Sequence, residues 1–521
     1  MPSVIIIGGG ISGLSAAYLL EQQARERGLA LDITLLERSN RVGGVIQSER
    51  VELPANGSQP SESFLCEAGP DSLLTTKPAA IELCRKLGLG EQLIPSNDAL
   101  RKTYVLHHGA LRPLPDGLMF VVPTKITPLL SSGLLSAAGK LRLLLSPLFS
   151  PGAPADSQDI SVDRYIAERF GQEVSDRLAE PLLNAVYGSD VRQMSARAVF
   201  PQLLALEKEH GGLWKAFARQ AAVGARPATA QATAQASSQE SGHTVPASRD
   251  DAAKPPSTVF VTLRDGLGQL PEKLRAALRT TQVIHDEAVL RVSRDAATGA
   301  YRVASARGET GARGERSCDA VVMATPAPVA AQLLEPLDAA LSEHLRSIVY
   351  RSVAIAALGY RSVPAASRAS DWGRRGFGFV VPRGEGRQTI ACTWVHNKFS
   401  HRAPPGAALV RSFFGGARNE GIDQLSDDAV FDAARTELSG ILGVSREDAA
   451  PEFHRVYRWP LCMPQYSVGH LELLARLEAR LDELPGLKLT GNALRGVGIP
   501  DCVQSAAQAA QGIGEWLAAR R

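Results

Sequence analysis

Short unbroken apolar runs punctuate an otherwise mixed chain, at Val4–Ile7 (VIII), Ile33–Leu36 (ITLL) and Ala320–Met323 (AVVM). Runs of this length, rich in β-branched residues and bounded by glycine, charge or proline, predict strands of a parallel sheet buried on both faces. The first runs straight into GGGISGL, a glycine turn followed by helical spacing. Residues 1–75 therefore read as strand, turn, helix and strand, the opening of a doubly wound nucleotide fold. The segment LKLTGNALRGVGIPDCVQSAAQAAQGI at 487–513 repeats the design as strand, glycine loop and helix. A site assembled from segments so far apart in sequence points to one large cofactor.

Between these elements the period changes. From about 78 to 215 apolar positions recur at helical spacing, as in AAIELCRKLGLGEQL and VDRYIAERFGQEVSDRLAEPLLNAVYG. The leucine-rich stretch 118–149 is broken by Pro123, Pro128 and Pro147. It fits either a buried helical lobe or an apolar surface for membrane contact or substrate entry. Residues 221–257 lack large apolar side chains and read as a disordered insertion. A strand, glycine turn and helix return at 257–278, a small meander follows at 281–308, and 348–415 alternates like antiparallel strands that floor a second lobe.

A chain of 521 residues exceeds what one core holds, so two or three packed lobes are expected. A net charge of +3 is small for this size and gives no reason to expect a nucleic-acid partner. Cys66, Cys84, Cys318, Cys392, Cys462 and Cys502 form no CxxC pair, which fits reduced thiols in a cytoplasmic protein and no metal site. No signal peptide is expected at the start, nor any membrane span.

Candidate chemistry concentrates in the first fifty residues. Gly8, Gly10 and Gly13 make a GxGxxG turn, whose glycines allow the tight bend, admit a pyrophosphate and let helix and strand pack closely. Amides at the helix start would face the phosphates. Glu37 ends the second strand, where an acidic residue accepts ribose hydroxyls and disfavours a 2′-phosphate. Arg41 and the pair Gly43 and Gly44 follow; a second glycine pair suits FAD, which continues past the first turn, better than NAD.

GGGISGL, Glu37 and RVGG resemble the FAD-binding region shared by amine oxidases, carotenoid desaturases and porphyrinogen oxidases. EAGPDSL at 67–73, GLGQLPEKL at 266–274, YRWPLCMPQYSVGH at 457–470 and GVGIPDCVQSAAQAA at 496–510 resemble the FAD-dependent porphyrinogen oxidases in particular. The resemblance implies an α/β fold, with a glutathione-reductase-like Rossmann FAD domain (1–77, 258–335 and 471–521) interleaved with an α+β substrate domain (sheet at 340–470) and a helical lobe (78–215). It implies FAD on Gly8, Gly9, Gly10, Ile11, Ser12, Gly13, Glu37, Arg38, Arg41, Gly43 and Gly44, with adenine near Val289. The flavin ring and ribityl chain are expected against Gly69, Pro70, Asp71, Ser72, Trp459, Val497, Gly498 and Ile499.

The implied reaction is six-electron oxidation of a porphyrinogen, with dioxygen reoxidising the flavin. Protoporphyrinogen carries two propionates and coproporphyrinogen four, so the second needs more cationic partners. Many protoporphyrinogen oxidases have an arginine where this chain has Thr103, whereas TIACTWVHNKFSHRAPPG resembles the coproporphyrinogen branch. Coproporphyrinogen III leads, with protoporphyrinogen IX as the alternative. Lys77, Lys102, His396, Lys398 and Arg458 are the candidate carboxylate partners. An amine oxidase, disfavoured by the 5% aromatic content, and a non-enzymatic flavin-containing redox or haem-handling protein complete the readings. Peripheral membrane contact at the inner face and a homodimer are further expectations.

Overall fold

The computed structural model describes residues 1–520 except 56–60, 120–121, 124–125, 150–158, 223–257, 309–310, 364–374 and 448–449. The insertion expected at 221–257 thus lies, from 223 onward, outside the described residues.

A five-stranded parallel sheet draws its strands from three distant stretches, in the order Gln282–Ile284, Asp32–Leu36, Ser3–Ile7, Ala320–Met323, Leu487–Leu489. Its central strands are mostly apolar because both faces are covered. Val4 and Ile6 point into one core with the helices Ile11–Glu26 and Ile499–Ala519. Ile5 and Ile7 point into the other, with Ala327–Leu334, Ala339–Arg346 and His470–Asp482. The expected meander is present as an antiparallel sheet of Glu287–Arg294, Tyr301–Arg307 and Ala312–Cys318.

The second lobe is built on a seven-stranded sheet in the order Phe453–Pro464, Tyr350–Tyr360, Ala408–Gly415, Ala391–Trp394, Gly378–Val380, Thr103–His107, Ala110–Pro113. Alternation divides its side chains: Tyr104, Leu106, Phe379 and Cys392 pack with the helix Asp427–Leu442, whereas Val105, Val380 and Ala391 pack with the helical lobe.

One expectation needs correction. The stretch 78–215 is not mostly helical throughout: Thr103–His107 and Ala110–Pro113 form a hairpin that closes the edge of the large sheet. TYVLH is rich in β-branched and aromatic residues, and the partner strand Gly378–Val380 lies too far along the chain for local spacing to reveal it. Phe260–Leu263 pairs with Leu73–Leu74 and Leu93–Pro95 in a small sheet, and Leu73, Val261 and Leu263 share the core that holds Val4 and Ile6 of the parallel sheet. The stretch 118–149 contains the helix Ala137–Phe149, which buries Leu143 but leaves Leu141, Leu144, Leu145, Leu148 and Phe149 exposed.

A buried ion pair joins the two lobes. Glu67, at the end of the strand Glu62–Glu67, meets Arg402 at 3.0 Å with both side chains inaccessible to solvent. Burial pushes the Glu67 carboxyl up, opposed chiefly by Arg402 and then by hydrogen bonds from Ser48 and the Leu267 amide. Removing one partner of such a pair leaves an uncompensated buried group at a cost of about 3–5 kcal/mol. Arg402→Met should therefore lower the free energy of unfolding, measured by urea titration, by an amount of that order, and adding Glu67→Gln should restore most of it. A single variant within about 1 kcal/mol of the parent would show that the pair does not hold the lobes together.

Candidate flavin site

The first glycine turn is constrained on every side. Gly8 has φ of 106°, and a Cβ on Gly13 would lie 1.9 Å from the Gly8 carbonyl oxygen, so neither position admits a side chain. A Cβ on Gly10 would meet nothing within 4 Å. The helix Ile11–Glu26 starts there with no side-chain cap, its amides and dipole facing that open space. Ser12 is buried in the first turn, and Ile11 packs into the core beside Ile499.

The second glycine pair is stitched to the first. Gly43 donates its amide to Gly9 O at 2.8 Å and bridges Gly10, with φ of 106° at Gly43 and 57° at Gly44. Arg41 folds back over this turn, donating to Gly44 O at 2.8 Å and Val42 O at 3.3 Å. Glu37 accepts from the Gly9 amide at 2.7 Å and from the Ser39 amide and hydroxyl at 2.9 and 2.7 Å, which holds its carboxylate at the turn. Arg38 is exposed. Val289 lies two residues beyond Glu287, whose amide bonds the Glu37 carbonyl at 2.9 Å, so its strand starts beside Glu37.

The segment Gly69–Ser72 runs next to the second turn. A Cβ on Gly69 would stand 2.1 Å from Val45 O, so glycine permits this approach. Trp459 Nε1 donates to Ala68 O at 2.6 Å, and Arg411 donates to Gly69 O, so two strands of the large sheet grip this segment. Asp71 takes Lys398 at 2.8 Å and Arg411 at 3.3 Å, with Ser72 donating at 2.7 Å. Burial opposes the charged Asp71, yet Lys398 and Arg411 outweigh it and hold the carboxyl well below the ordinary range.

The loop before Ile499–Ala519 closes the arrangement. Val497, Gly498 and Ile499 form the start of that helix, where Asp501 folds back to accept from the Gly498 amide at 3.1 Å and pairs with Lys77 at 2.7 and 2.9 Å. Tyr466, which the sequence reading did not single out, clasps the loop: its hydroxyl donates to Asn492 O at 2.6 Å and accepts from the Gly496 amide at 2.8 Å. One open helix start, two glycine turns in contact and an oriented carboxylate fit the pyrophosphate, ribityl and ribose parts of FAD.

The five proposed carboxylate partners do not gather in one place. Lys77 is paired with Asp501 and Lys398 with Asp71. Arg458 points to the far side of its strand, toward Asp427 and the carbonyls of Ile422 and Leu425. His396 is largely enclosed against Leu409, and burial pushes its pKa down to about 4, so at neutral pH it carries no charge. Lys102 lies over the Tyr104 ring at 5.2 Å.

Comparison with known proteins adds the chemistry. Residues 11–514 match the family model for flavin containing amine oxidoreductases. A coproporphyrinogen III oxidase of Bacillus subtilis (strain 168) is 34% identical over 96% of this chain and 95% of its own. The chloroplastic protoporphyrinogen oxidase 1 of Spinacia oleracea is 29% identical, over 98% of this chain and 84% of its own. A crystal structure from Exiguobacterium sp. 255-15 superposes with a TM-score of 0.77 at 29% identity, covering 99% of both chains.

Tyr466→Phe keeps the ring but leaves the Gly496 amide without its acceptor, a loss of about 1–3 kcal/mol for a buried donor. The variant should fold and release bound flavin roughly tenfold more readily, measured as recovery of free flavin fluorescence on dilution. Unchanged retention would show that the clasp does not shape the loop.

Proposed function

Because the chain belongs to the family of flavin containing amine oxidoreductases, the reaction we propose for it is one run on bound FAD: oxidation of coproporphyrinogen III to coproporphyrin III, with dioxygen as acceptor, in haem biosynthesis. The observation that carries the substrate is the 34% identity to a coproporphyrinogen III oxidase sustained over 96% of the chain. Protoporphyrinogen IX is the second substrate to test, favoured by the 29% identity to a protoporphyrinogen oxidase over 98% of the chain. The amine oxidase reading has fold likeness for support, at 17% identity to a cyclohexylamine oxidase.

In this reading Gly8–Gly13 and the helix start at Ile11 hold the pyrophosphate, Glu37 the ribose, and Gly43, Gly44, Gly69–Ser72 and Val497–Ile499 the ribityl chain and ring. When bound, FAD supplies the two-electron acceptor that the reaction needs three times, and passes the electrons to dioxygen. The protein orients the macrocycle and keeps the ring out of bulk water. Glu67, Asp71, Lys398 and Asp501, which brace these segments, are all ion-paired. They therefore act as supports, in keeping with a reaction driven by aromatisation that asks for no strong base.

Lys77 and Lys102 are the cations we assign to the propionates. Lys77 keeps a quarter of its side chain exposed while paired with Asp501, and Lys102 immediately precedes the strand Thr103–His107. Aerobic turnover of coproporphyrinogen III and protoporphyrinogen IX, followed side by side by porphyrin fluorescence, should show a clear preference for the tetracarboxylate. Lys77→Ala or Lys102→Ala should raise KM for it about tenfold with kcat little changed. Preference for the dicarboxylate would overturn the substrate, and an unmoved KM in both variants would overturn the cations.

We also assign the exposed apolar face of Ala137–Phe149 to peripheral contact with a membrane. Leu141, Leu144, Leu145, Leu148 and Phe149 recur at helical spacing on one side, with Lys140 in the same helix. Among the described residues no helix is long and apolar enough to cross a membrane. The protein should float with anionic vesicles, and Leu144→Asp with Leu148→Asp should abolish flotation. Equal flotation of the double variant would remove this assignment.

A further inference from the structure

Away from the flavin site, the hairpin at the edge of the large sheet carries a group of side chains with no part in the reaction. Its register pairs His107 with Ala110, so the turn consists of His108 and Gly109, with φ of 51° and 73°. Two positive φ values make this the turn type that matches strand twist and prefers Asn-Gly or Asp-Gly. Histidine here has a geometric consequence. Neighbouring residues of an extended strand point to opposite faces, but the left-handed backbone at His108 swings its ring to the side of His107, with centroids 4.1 Å apart.

Glu385 completes the group from the far side of the sequence. It ends the short turn Arg383–Glu385, and its carboxylate accepts from the His108 amide at 2.8 Å and the Gly109 amide at 3.1 Å. Those bonds fix the carboxylate's orientation and leave each oxygen a further lone pair. One of them faces His107 Nδ1 at 4.0 Å. The turn is itself anchored to the helical lobe, through the Arg383 amide on Glu180 at 3.0 Å and the Arg383 guanidinium on Asp190 at 3.2 Å.

One donor atom from each of His107, His108 and Glu385 can be chosen so that all lie within 4.8 Å of one another. Tetrahedral ligands at ~2.0–2.1 Å from a zinc ion stand about 3.3 Å apart, so closing the site takes about an ångström of movement, available to the exposed His108 ring. We propose that His107, His108 and Glu385 form a binding site for one divalent transition-metal ion of the zinc class, which staples the edge hairpin to the 383–385 turn and through it to the helical lobe.

Two imidazoles and one carboxylate suit zinc, nickel or copper and not magnesium or calcium, which take oxygen donors. Arg177 and Arg112 also stand near His107, and Glu173 pairs with Arg177 at 3.0 Å, which offsets part of the positive charge beside the group. The expectation of no metal site rested on cysteine and histidine spacing, which cannot bring together adjacent histidines and a glutamate from another strand connection.

The test is calorimetric titration of the chelator-stripped, flavin-loaded protein with zinc chloride, with magnesium chloride as the control. One equivalent should bind at ~10 µM or tighter. His107→Gln should weaken binding at least about tenfold. So should His108→Asn, which suits the left-handed turn and removes one ligand while keeping the hairpin. Circular dichroism and flavin content should not change in either variant. The proposal is overturned if the parent takes up no zinc, if both variants bind it as the parent does, or if magnesium competes.

Discussion

The architecture depends on a row of buried charges between its two lobes. Glu67 and Asp71 sit at either end of the segment Glu67–Ser72, and Arg402, Arg411 and Lys398 reach them from the substrate side. Each ion gives up its hydration, and the cost is offset only where geometry and further hydrogen bonds are good. Such a network adds little net stability over apolar packing, but it tolerates no slippage. A shift of the strand Glu62–Glu67 by one residue would turn Glu67 away from Arg402 and leave both charges buried alone. The ions therefore set the register of the segment that continues into Gly69–Ser72, and so the distance between the glycine turns and the large sheet.

That division of labour explains what could be read from the amino-acid order. Glycines forced by backbone contact leave a signature, because the need for Gly8, Gly13 and Gly43 is local. Glu37 was legible for the same reason, at the end of a strand that begins a few residues earlier. The parallel sheet was also legible, since strands buried on both faces are mostly apolar. Residues whose meaning depends on a distant partner were not. Lys398 and Arg458 looked like cations available to a substrate, yet each holds a carboxylate that only the folded chain supplies. Arg402 and Tyr466 stood inside motifs already noted, and nothing in their spacing distinguished a buried ion partner or a loop clasp from an ordinary polar residue.

The hairpin Thr103–Pro113 shows the same limit in backbone form. Its strands are short, and the parallel partner Gly378–Val380 comes from the other half of the chain. Local spacing favoured a mostly helical lobe, and long-range pairing set a hairpin within it. The helix Ala137–Phe149 illustrates the converse: its leucine content was plain, but which leucines face solvent follows from the packing of Leu143 and Ser146.

The order of strands in the parallel sheet has a consequence for how the protein is made. The helix Ile11–Glu26 buries Leu14, Ala17 and Leu20 in a core completed by Val503, Ala510 and Ile513 of Ile499–Ala519. At about 5–20 residues per second, a ribosome needs roughly 25–100 s to travel from one to the other. Throughout that interval the first glycine turn exists without its closing helix, and a greasy surface waits uncovered. Cofactor capture thus belongs to the moments after synthesis, and the nascent chain is a natural client for chaperones that shield apolar surface while translation continues.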